Sequence, residues 1–400
     1  MAHRLRIAHS WEVVVERARI DAGRGVSRGA TIRRAAGVAY LVVLPSIWTI
    51  GLLVNLITVN FHKKAAYDLK VAFLPAAHAV LNGHSPLPSP SDPSVAHQAA
   101  YVYPPFVAYM TTPLTLVSVS AAAAIGVLVS FFAVPALIYV AGVRDFRCYG
   151  LAIAWGPTFN AIQNVNISLP IAFGLALAWR FRNSERLSGL LLGCAVAAKV
   201  FVWPLLVWPL AQKRKLTVGV AVASGALLAL GSWAAVGFAG LSTYPKLLRV
   251  LTSYEETDSY SISGALRVIG LGTVPARGVA LLVTLTLLAL CVRFGRRGDD
   301  QRAFAAAILA ALASTPILWQ HYLMLLLVAL AVCRPRLSFA WFVPILLWAS
   351  PTTGNGDVWQ TLLVPIAAAV VGASCLLRPD QEARIAGAFR ARRKSVAIPA

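Results

Sequence analysis

The stretch LTVGVAVASGALLALGSWAAVGF, residues 216–238, decides the fold of this chain. It contains no charged residue, and Lys213, Arg214 and Lys215 stand directly before it. An apolar run of this length crosses the hydrocarbon core of a bilayer as a helix, and a basic cluster at its end favours the cytoplasmic side. The stretch therefore predicts a helix that crosses a membrane from the inside outward.

Long apolar runs separated by short basic clusters continue along the whole chain. Of its 400 residues, 58% are hydrophobic and 13% are charged, and the mean hydropathy is +0.70. A chain of this composition has too few polar residues to cover a soluble domain. The formal net charge of +21 is typical of basic residues retained at the cytoplasmic face, and no basic region alternates with stacking aromatics as nucleic-acid binding requires. We predict an all-α, polytopic transmembrane helix bundle that contacts membrane lipids and binds no nucleic acid.

The basic clusters predict how the bundle is threaded, because each cluster must return to the cytoplasmic side. Hairpins are expected at residues 148–179 and 187–211, with breaks near residues 163–166 and at Lys199. The legs of the second hairpin are short for lipid-exposed spans, but broken helices are allowed around a water-filled cavity. A bundle of about 10–12 spans results, and its other crossings are expected at residues 36–59, 216–238, 274–293, 303–334 and 339–377.

Two stretches are left on the outer face, residues 60–120 and 241–272. The first contains an amphipathic segment, residues 67–82, that we expect to lie as a helix at the membrane interface. Proline spacing in residues 101–117 favours a juxtamembrane or re-entrant helix over a full span. With this threading 28 of the 36 Lys and Arg residues are cytoplasmic, which is the bias expected of a membrane protein.

The chain divides into one membrane domain and two basic tails. Residues 36–377 form the domain, and residues 1–35 and 378–400 are expected in the cytoplasm. Residues 1–35 lack the apolar core and cleavage site of a signal peptide, so the first span should remain as an anchor in the plasma membrane. The five cysteines lie in or beside predicted spans without disulfide or zinc spacing, and we interpret them as packing residues.

Asp68 is the acidic residue best placed for chemistry. It follows the first predicted span closely and begins the predicted interfacial helix, so its carboxylate is expected to face an outer cavity. The alternative is an exposed cap that the helix dipole favours at a helix start. Glu255, Glu256 and Asp258 also lie outside, in a polar loop where we expect them to be solvated or to bind an acceptor.

Lys199 is a single cation in the apolar stretch LLGCAVAAKVFVWPLL. A charge at membrane depth is costly unless it is paired or functional, and a lipid phosphate is a suitable partner. The alternative is a lysine whose amine reaches the outer headgroups. His321, in STPILWQHYLML, either acts in the site or is a packed, hydrogen-bonded residue of an aromatic belt with Trp319 and Tyr322. The polar turn with Gln163 and Asn164 lies at the same predicted depth, where it either binds a sugar or satisfies the backbone.

No spacing typical of metal ligands and no phosphate-binding glycine loop occurs in the sequence, so neither a metal nor a cofactor is predicted. A series of short motifs occurs instead, in a fixed order. They are Asp68-Leu69-Lys70-Val71, Gly83-His84-Ser85-Pro86, Tyr101-Val102-Tyr103-Pro104-Pro105, Gln163-Asn164-Val165-Asn166, residues 192–199, residues 259–264 and residues 314–322.

This ordered series resembles glycosyltransferase family 87, membrane enzymes that use polyprenyl-phosphate sugars and include α-mannosyltransferases of glycolipid synthesis. The resemblance implies a GT-C fold with juxtamembrane helices and an active site at the extracytoplasmic face. It also implies that Asp68 is the catalytic base and that the partners are a polyprenyl-phosphate sugar donor and a lipid or glycan acceptor.

The expected reaction is transfer of a hexose, mannose by the family resemblance, with inversion at the anomeric carbon. Lys199 and Arg267 are expected to bind the donor phosphate, and His321, Gln163 and Asn164 to hold the sugar or phosphate. A lipid-linked sugar flippase or transporter and an oligosaccharide ligase are the alternatives, because bundles with half-length helices also occur in those classes.

Overall fold

The computed structural model describes residues 65–377 except 97–99 and 353–355, together with Ala39–Val43 and a few single residues between 37 and 51. Every regular element in this part of the chain is helical, which confirms the predicted all-α class. The α-helices, in chain order, are α1 Leu74–Leu81, α2 Pro93–Ala96, α3 Pro105–Thr111, α4 Val119–Ala141, α5 Phe146–Ala154, α6 Gly156–Asn164, α7 Ser168–Arg180, α8 Glu185–Ala198, α9 Val207–Ala211, α10 Lys215–Ala235, α11 Tyr244–Glu255, α12 Ile262–Val268, α13 Thr273–Arg296, α14 Asp300–Ser314, α15 Met324–Cys333 and α16 Val358–Leu376.

Four of these helices, α4, α10, α13 and α16, are long and apolar enough to cross a membrane. Helices α6 and α7 form a further apolar pair, bent by 114°. Large apolar side chains on α10 and α13 remain exposed, with Leu227 at 73% and Leu282 at 64% of full accessibility. Such surfaces suit contact with lipid. The described part of the chain is therefore that of a membrane protein, while the total number of crossings stays a prediction.

Both predicted helix breaks are confirmed. Helix α6 ends at Asn164. The next residue, Val165, has a left-handed φ of 53° although it is not a glycine, and α7 begins three residues after it. Helix α8 ends before Lys199, which has an extended backbone and precedes the 3-10 segment Val200–Leu206. Because helical hydrogen bonding is interrupted at both breaks, polar backbone groups are left at the points where the chain turns.

The centre of the bundle is built by helices that are apolar on every side. In α14 and α15 nearly all side chains are buried, as expected of helices without a polar face. Helices α8 and α10 approach so closely that a Cβ atom added to Gly193 would lie 2.6 Å from the carbonyl oxygen of Ala221. A glycine at this position therefore permits the contact between α8 and α10.

Polar side chains join four helical segments at one end of the bundle. Asp300 accepts hydrogen bonds from Trp208 Nε1 at 2.6 Å, Arg214 Nη2 at 3.1 Å and Gln212, and its Oδ2 lies 3.2 Å from Arg182 Nε. We call these five residues the Asp300 cluster. Arg182, Arg214 and Asp300 belong to segments predicted on the same face of the membrane, and their contact confirms that they share one end. That this end is cytoplasmic stays a prediction.

The two predicted outer stretches contain short elements. Residues 67–82 form a π-helical turn, Leu69–Phe73, that continues into α1, and residues 101–117 form α3 with the 3-10 segment Thr112–Leu116. In the second stretch, α11 packs its buried Leu247 and Leu251 against Val95 of α2 and against Ile317. The two stretches thus meet over the same end of the bundle.

Three predicted segments fall on residues that the structure does not describe. The span at 36–59 lies mostly outside the described residues, and both tails, 1–35 and 378–400, lie wholly outside them. These boundaries stay predictions.

Candidate active site

A cavity of about 740 Å³ lies where the outer stretches meet the two helix breaks. We call it the Asp68 cavity. Its volume falls within the range of small-molecule sites. Most of its wall comes from residues 67–73, 100–104, 160–166, 199–201, 244–255 and 315–322.

Asp68 lines the cavity at the start of the π-helical turn. Its side chain makes no capping hydrogen bond; instead, Oδ2 accepts a hydrogen bond from Nδ2 of Asn166. Asn166 is itself fixed, because its Oδ1 accepts the backbone N–H of Ser168 at 2.8 Å. The structure therefore favours a cavity carboxyl over an exposed helix cap.

The backbone around Asp68 is held by an unusual local conformation. The N–H of Ala66 donates to the carbonyl oxygen of Gln163 at 2.6 Å. Ala66 itself and Val165, two residues after Gln163, both have left-handed φ angles, of 52° and 53°. Such angles are uncommon for residues other than glycine and persist where the surrounding structure enforces them, often at functional sites.

Burial raises the pKa of the Asp68 carboxyl above its usual value. The hydrogen bond from Asn166 and the positive charge of Lys199 oppose this rise. A carboxylate with a raised pKa is a stronger base than one in water, and proton transfer to it is more favourable. Asp68 is therefore suited to accept a proton from a hydroxyl group.

Lys199 lies on the same cavity wall, with its ammonium group buried. Nζ lies 3.5 Å from the centre of the Tyr322 ring, 5.1 Å from that of Tyr103 and 5.6 Å from that of Phe201. Aromatic faces attract a cation but accept none of its hydrogen bonds well, and no hydrogen-bond partner for Nζ exists among the described residues. The ammonium group is therefore enclosed by aromatic rings inside the protein, and a role in binding an anion stays a prediction.

Three further residues predicted for the site also line the cavity: His321, Gln163 and Asn164. His321 is buried, and its Nδ1 lies 3.0 Å from Oδ1 of Asn160, a contact that fixes the ring. Neighbouring Gln320 has a structural role instead, because its Nε2 donates to backbone carbonyls, including that of Ser350 at 2.8 Å.

Arg267 is the predicted site residue that does not line the Asp68 cavity. Its Nη1 lies 3.2 Å from Oε2 of Glu256, which also pairs with Arg277 at 2.7 Å. Glu256 is fully buried, so the two guanidinium groups neutralise a carboxylate inside the protein. The structure gives Arg267 this pairing role and offers no contact that would direct it toward a donor phosphate.

Glu255 is a cavity residue that the sequence did not indicate for a specific role. We expected solvation or acceptor binding, but Glu255 is only 5% exposed and lines the cavity. Burial raises its pKa to about 7, although the charge of Lys199 lowers it. A signal was present, since Leu247, Leu251 and Glu255 are spaced four residues apart and share one face of α11.

Aromatic residues of the cavity were also missed. Tyr103 and Tyr322 lie on opposite sides of Lys199 in sequence and contribute rings to its surroundings. Within the described residues no group of three His, Cys, Asp or Glu side chains could hold a metal ion. The polar residues that line the cavity carry carboxyl, amine, imidazole, amide, phenol and hydroxyl groups.

One comparison with known families identifies the chain. The model of glycosyltransferase family 87 matches residues 101–318, more than half of the 400-residue chain. The match begins after Asp68 and ends before His321, and it includes the helix break at Lys199. Neither a curated protein nor a solved structure matches the chain. The chain belongs to glycosyltransferase family 87 and is a glycosyltransferase of the membrane-helix type.

Proposed function

We propose that this glycosyltransferase moves a hexose, specifically mannose, from a polyprenyl-phosphate donor to a lipid-linked or glycolipid acceptor. The observation on which the proposal rests is the pairing, in one cavity, of a carboxyl with a raised pKa at Asp68 and a buried ammonium without a hydrogen-bond partner at Lys199. A base and an anion site are the two requirements of this reaction.

The donor phosphate binds at Lys199. A phosphate oxygen accepts the hydrogen bonds that Nζ does not make to the protein. The cavity also has an apolar rim, where Val71 and Val200 are 36% and 52% exposed, and this rim suits the prenyl chain of the donor. His321, Gln163 and Asn164, which line the same cavity, hold the sugar or the phosphate.

The transfer proceeds as a single displacement. Asp68 removes the proton of the acceptor hydroxyl, and the oxygen forms a bond to C1 of the sugar on the face opposite the phosphate. The bond from C1 to the phosphate oxygen breaks, and its electron pair remains on the departing polyprenyl phosphate beside Lys199. Attack from the opposite face inverts C1, so a β-linked donor gives an α-linked product.

We place this reaction at the extracytoplasmic face of the plasma membrane. The charge bias of the sequence supports this orientation, because the Asp300 cluster belongs to segments rich in Lys and Arg. The Asp68 cavity is formed by the stretches predicted on the other side. This orientation is tested with cysteines introduced at positions 82 and 213, in place of Asn82 and Lys213, and a membrane-impermeant reagent. We expect only the cysteine at position 82 to react.

The test of function is transfer of radiolabelled sugar in membranes that contain the full chain. We expect label to pass from polyprenyl-phosphate mannose to a glycolipid, and we expect Asp68→Asn to abolish this while Asp92→Asn, a change at an exposed loop carboxylate, leaves it intact. Transfer of a whole oligosaccharide from a polyprenyl diphosphate would identify a ligase instead. Movement of the donor across the membrane without transfer would indicate a flippase.

A further inference from the structure

Glu255 and Glu256 are adjacent buried carboxyls with opposite surroundings. Glu256 is bound by Arg267 and Arg277, whereas no hydrogen bond or ion pair to the carboxyl of Glu255 exists among the described residues. Yet Glu255 is only 5% exposed. Because Glu255 lines the cavity, a ligand there that supplies hydrogen-bond donors can reach its carboxyl and stabilise it.

The carboxyl of Glu255 faces the Asp68 cavity. It interacts electrostatically with Lys199 and with the phenols of Tyr103 and Tyr322, which all line this cavity. The other polar side chains that α11 presents to the cavity already have partners. Tyr244 donates to the carbonyl of Val102 at 3.0 Å, and Thr252 donates to that of Leu248 at 2.8 Å.

We propose that Glu255 binds hydroxyl groups of the sugar that is transferred. This inference rests on the proposed function, and it gives α11 a direct part in substrate recognition. The two oxygens of a carboxylate accept hydrogen bonds from neighbouring hydroxyls of a sugar ring, which carries such donors in pairs. A phosphate, by contrast, brings negative charge and no donor, so it is repelled by an ionised Glu255.

The assignment to the donor sugar follows from where we place the donor phosphate. The donor's C1 is joined directly to the phosphate that we place at Lys199, and Glu255 lies within electrostatic reach of Lys199. Asp68, which removes the acceptor proton, also lies within electrostatic reach of Lys199 and accepts a hydrogen bond from Asn166. The raised pKa of Glu255, about 7, agrees with a ligand rich in hydroxyl groups, because such donors would restore the stabilisation that burial removes.

The test uses purified full-length protein and compares Glu255→Gln with Asp258→Asn. After the paired Glu256, Asp258 is the next carboxylate along the sequence, and it does not line the cavity. We expect Glu255→Gln to lower kcat/KM for the polyprenyl-phosphate sugar by about 10- to 100-fold, the range for a hydrogen bond to a charged group. Polyprenyl phosphate without a sugar serves as a competitive inhibitor, and it should inhibit Glu255→Gln at least as strongly as it inhibits the wild type and Asp258→Asn.

Donors that lack one hydroxyl give the sharper readout. Removal of the hydroxyl that Glu255 binds should weaken transfer by the wild type about 10-fold and should have little further effect in Glu255→Gln, as in a double-mutant cycle. A second variant, Glu255→Asp, keeps the charge and should recover part of the lost transfer. If Glu255 had a merely structural role, Glu255→Gln would lower transfer from the complete donor and from every deoxy donor by the same factor.

Three outcomes overturn the inference: unchanged kinetics in Glu255→Gln, weaker inhibition by sugar-free polyprenyl phosphate, or a change confined to the acceptor KM. These differ from a failure of the proposed function. If the wild type neither binds polyprenyl phosphate nor uses its sugar conjugates, the proposed donor is wrong and this inference fails with it. If the wild type transfers sugar and the Glu255 variants transfer it as well as Asp258→Asn does, the proposed function stands and Glu255 has no role in sugar binding.

Discussion

The Asp300 cluster and the Asp68 cavity both gather charged side chains, but they differ in how those charges are paired. Asp300 contacts four donors from neighbouring segments, so its two oxygens are well satisfied. In the cavity, Lys199 lacks a hydrogen-bond partner and Glu255 lacks a donor among the described residues. Satisfied charges stabilise a fold, whereas unsatisfied ones are kept where a ligand completes them. We therefore propose that the charges of the Asp300 cluster are structural and that those of the Asp68 cavity bind substrate.

Among changes in the Asp68 cavity, Asp68→Asn should have the largest effect on the rate of transfer. The amide preserves the shape of the side chain but cannot accept a proton, so the rate of transfer should fall about 10²- to 10⁴-fold. The melting temperature, followed by tryptophan fluorescence, should change little. Full transfer activity in this variant would contradict the role of Asp68 as base.

Lys199→Met should lower transfer about 100-fold, because the departing phosphate loses its nearest positive charge. The same change should leave the melting temperature equal or higher, since it removes a buried ammonium without hydrogen bonds. Lys213→Met, a change at the opposite end of the bundle, is the matched control and should alter neither quantity. A large loss of stability in Lys199→Met would show that its charge is structural.

Asp300→Asn should show the opposite pattern. Loss of the carboxylate leaves Arg182 and Arg214 beside a neutral amide, and we expect the free energy of unfolding to fall by about 2 kcal/mol. Transfer measured well below the melting temperature should remain near the wild-type rate. If transfer falls as steeply as in Lys199→Met, the division into structural and functional charges is wrong.

The smallest expected effect is a dependence of stability on pH at Glu255. Its folded pKa is about 7, above the usual value of 4.5, so the folded state binds more protons between these two values. Its contribution to stability is therefore full below pH 4.5 and is lost as the pH rises through 7. Glu255→Gln cannot ionise, and its melting temperature should exceed that of the wild type increasingly from pH 5 to pH 8.

If the melting temperatures of Glu255→Gln and the wild type differed by a constant amount from pH 5 to pH 8, the assignment of the raised pKa to Glu255 would be wrong. Asp258→Asn is a suitable comparison, because it removes a neighbouring carboxyl whose charge contributes to that raised pKa. This variant should shift the pH at which stability declines slightly downward and should not abolish the decline.

The sequence was most informative where apolar length and charge decide the structure. The helix at residues 216–238 and the break at Lys199 were predicted from the run of apolar residues and from the basic clusters around them. The pairing of Arg267 could not be predicted, because Glu256 was read as a solvated loop residue when it is buried. Local sequence shows which residues are polar but does not show which of them the fold encloses.

By itself, the sequence determined that this chain is an all-helical membrane protein, because span length and charge bias are local properties set by transfer into the bilayer. It also indicated Asp68 and Lys199 as candidates. Only the tertiary structure brought Asp68 to Asn166, 98 residues away, and placed Lys199 and Glu255 on walls of one cavity. The reason is physical: burial and electrostatic coupling depend on distances in space, and packing between segments remote in sequence sets those distances.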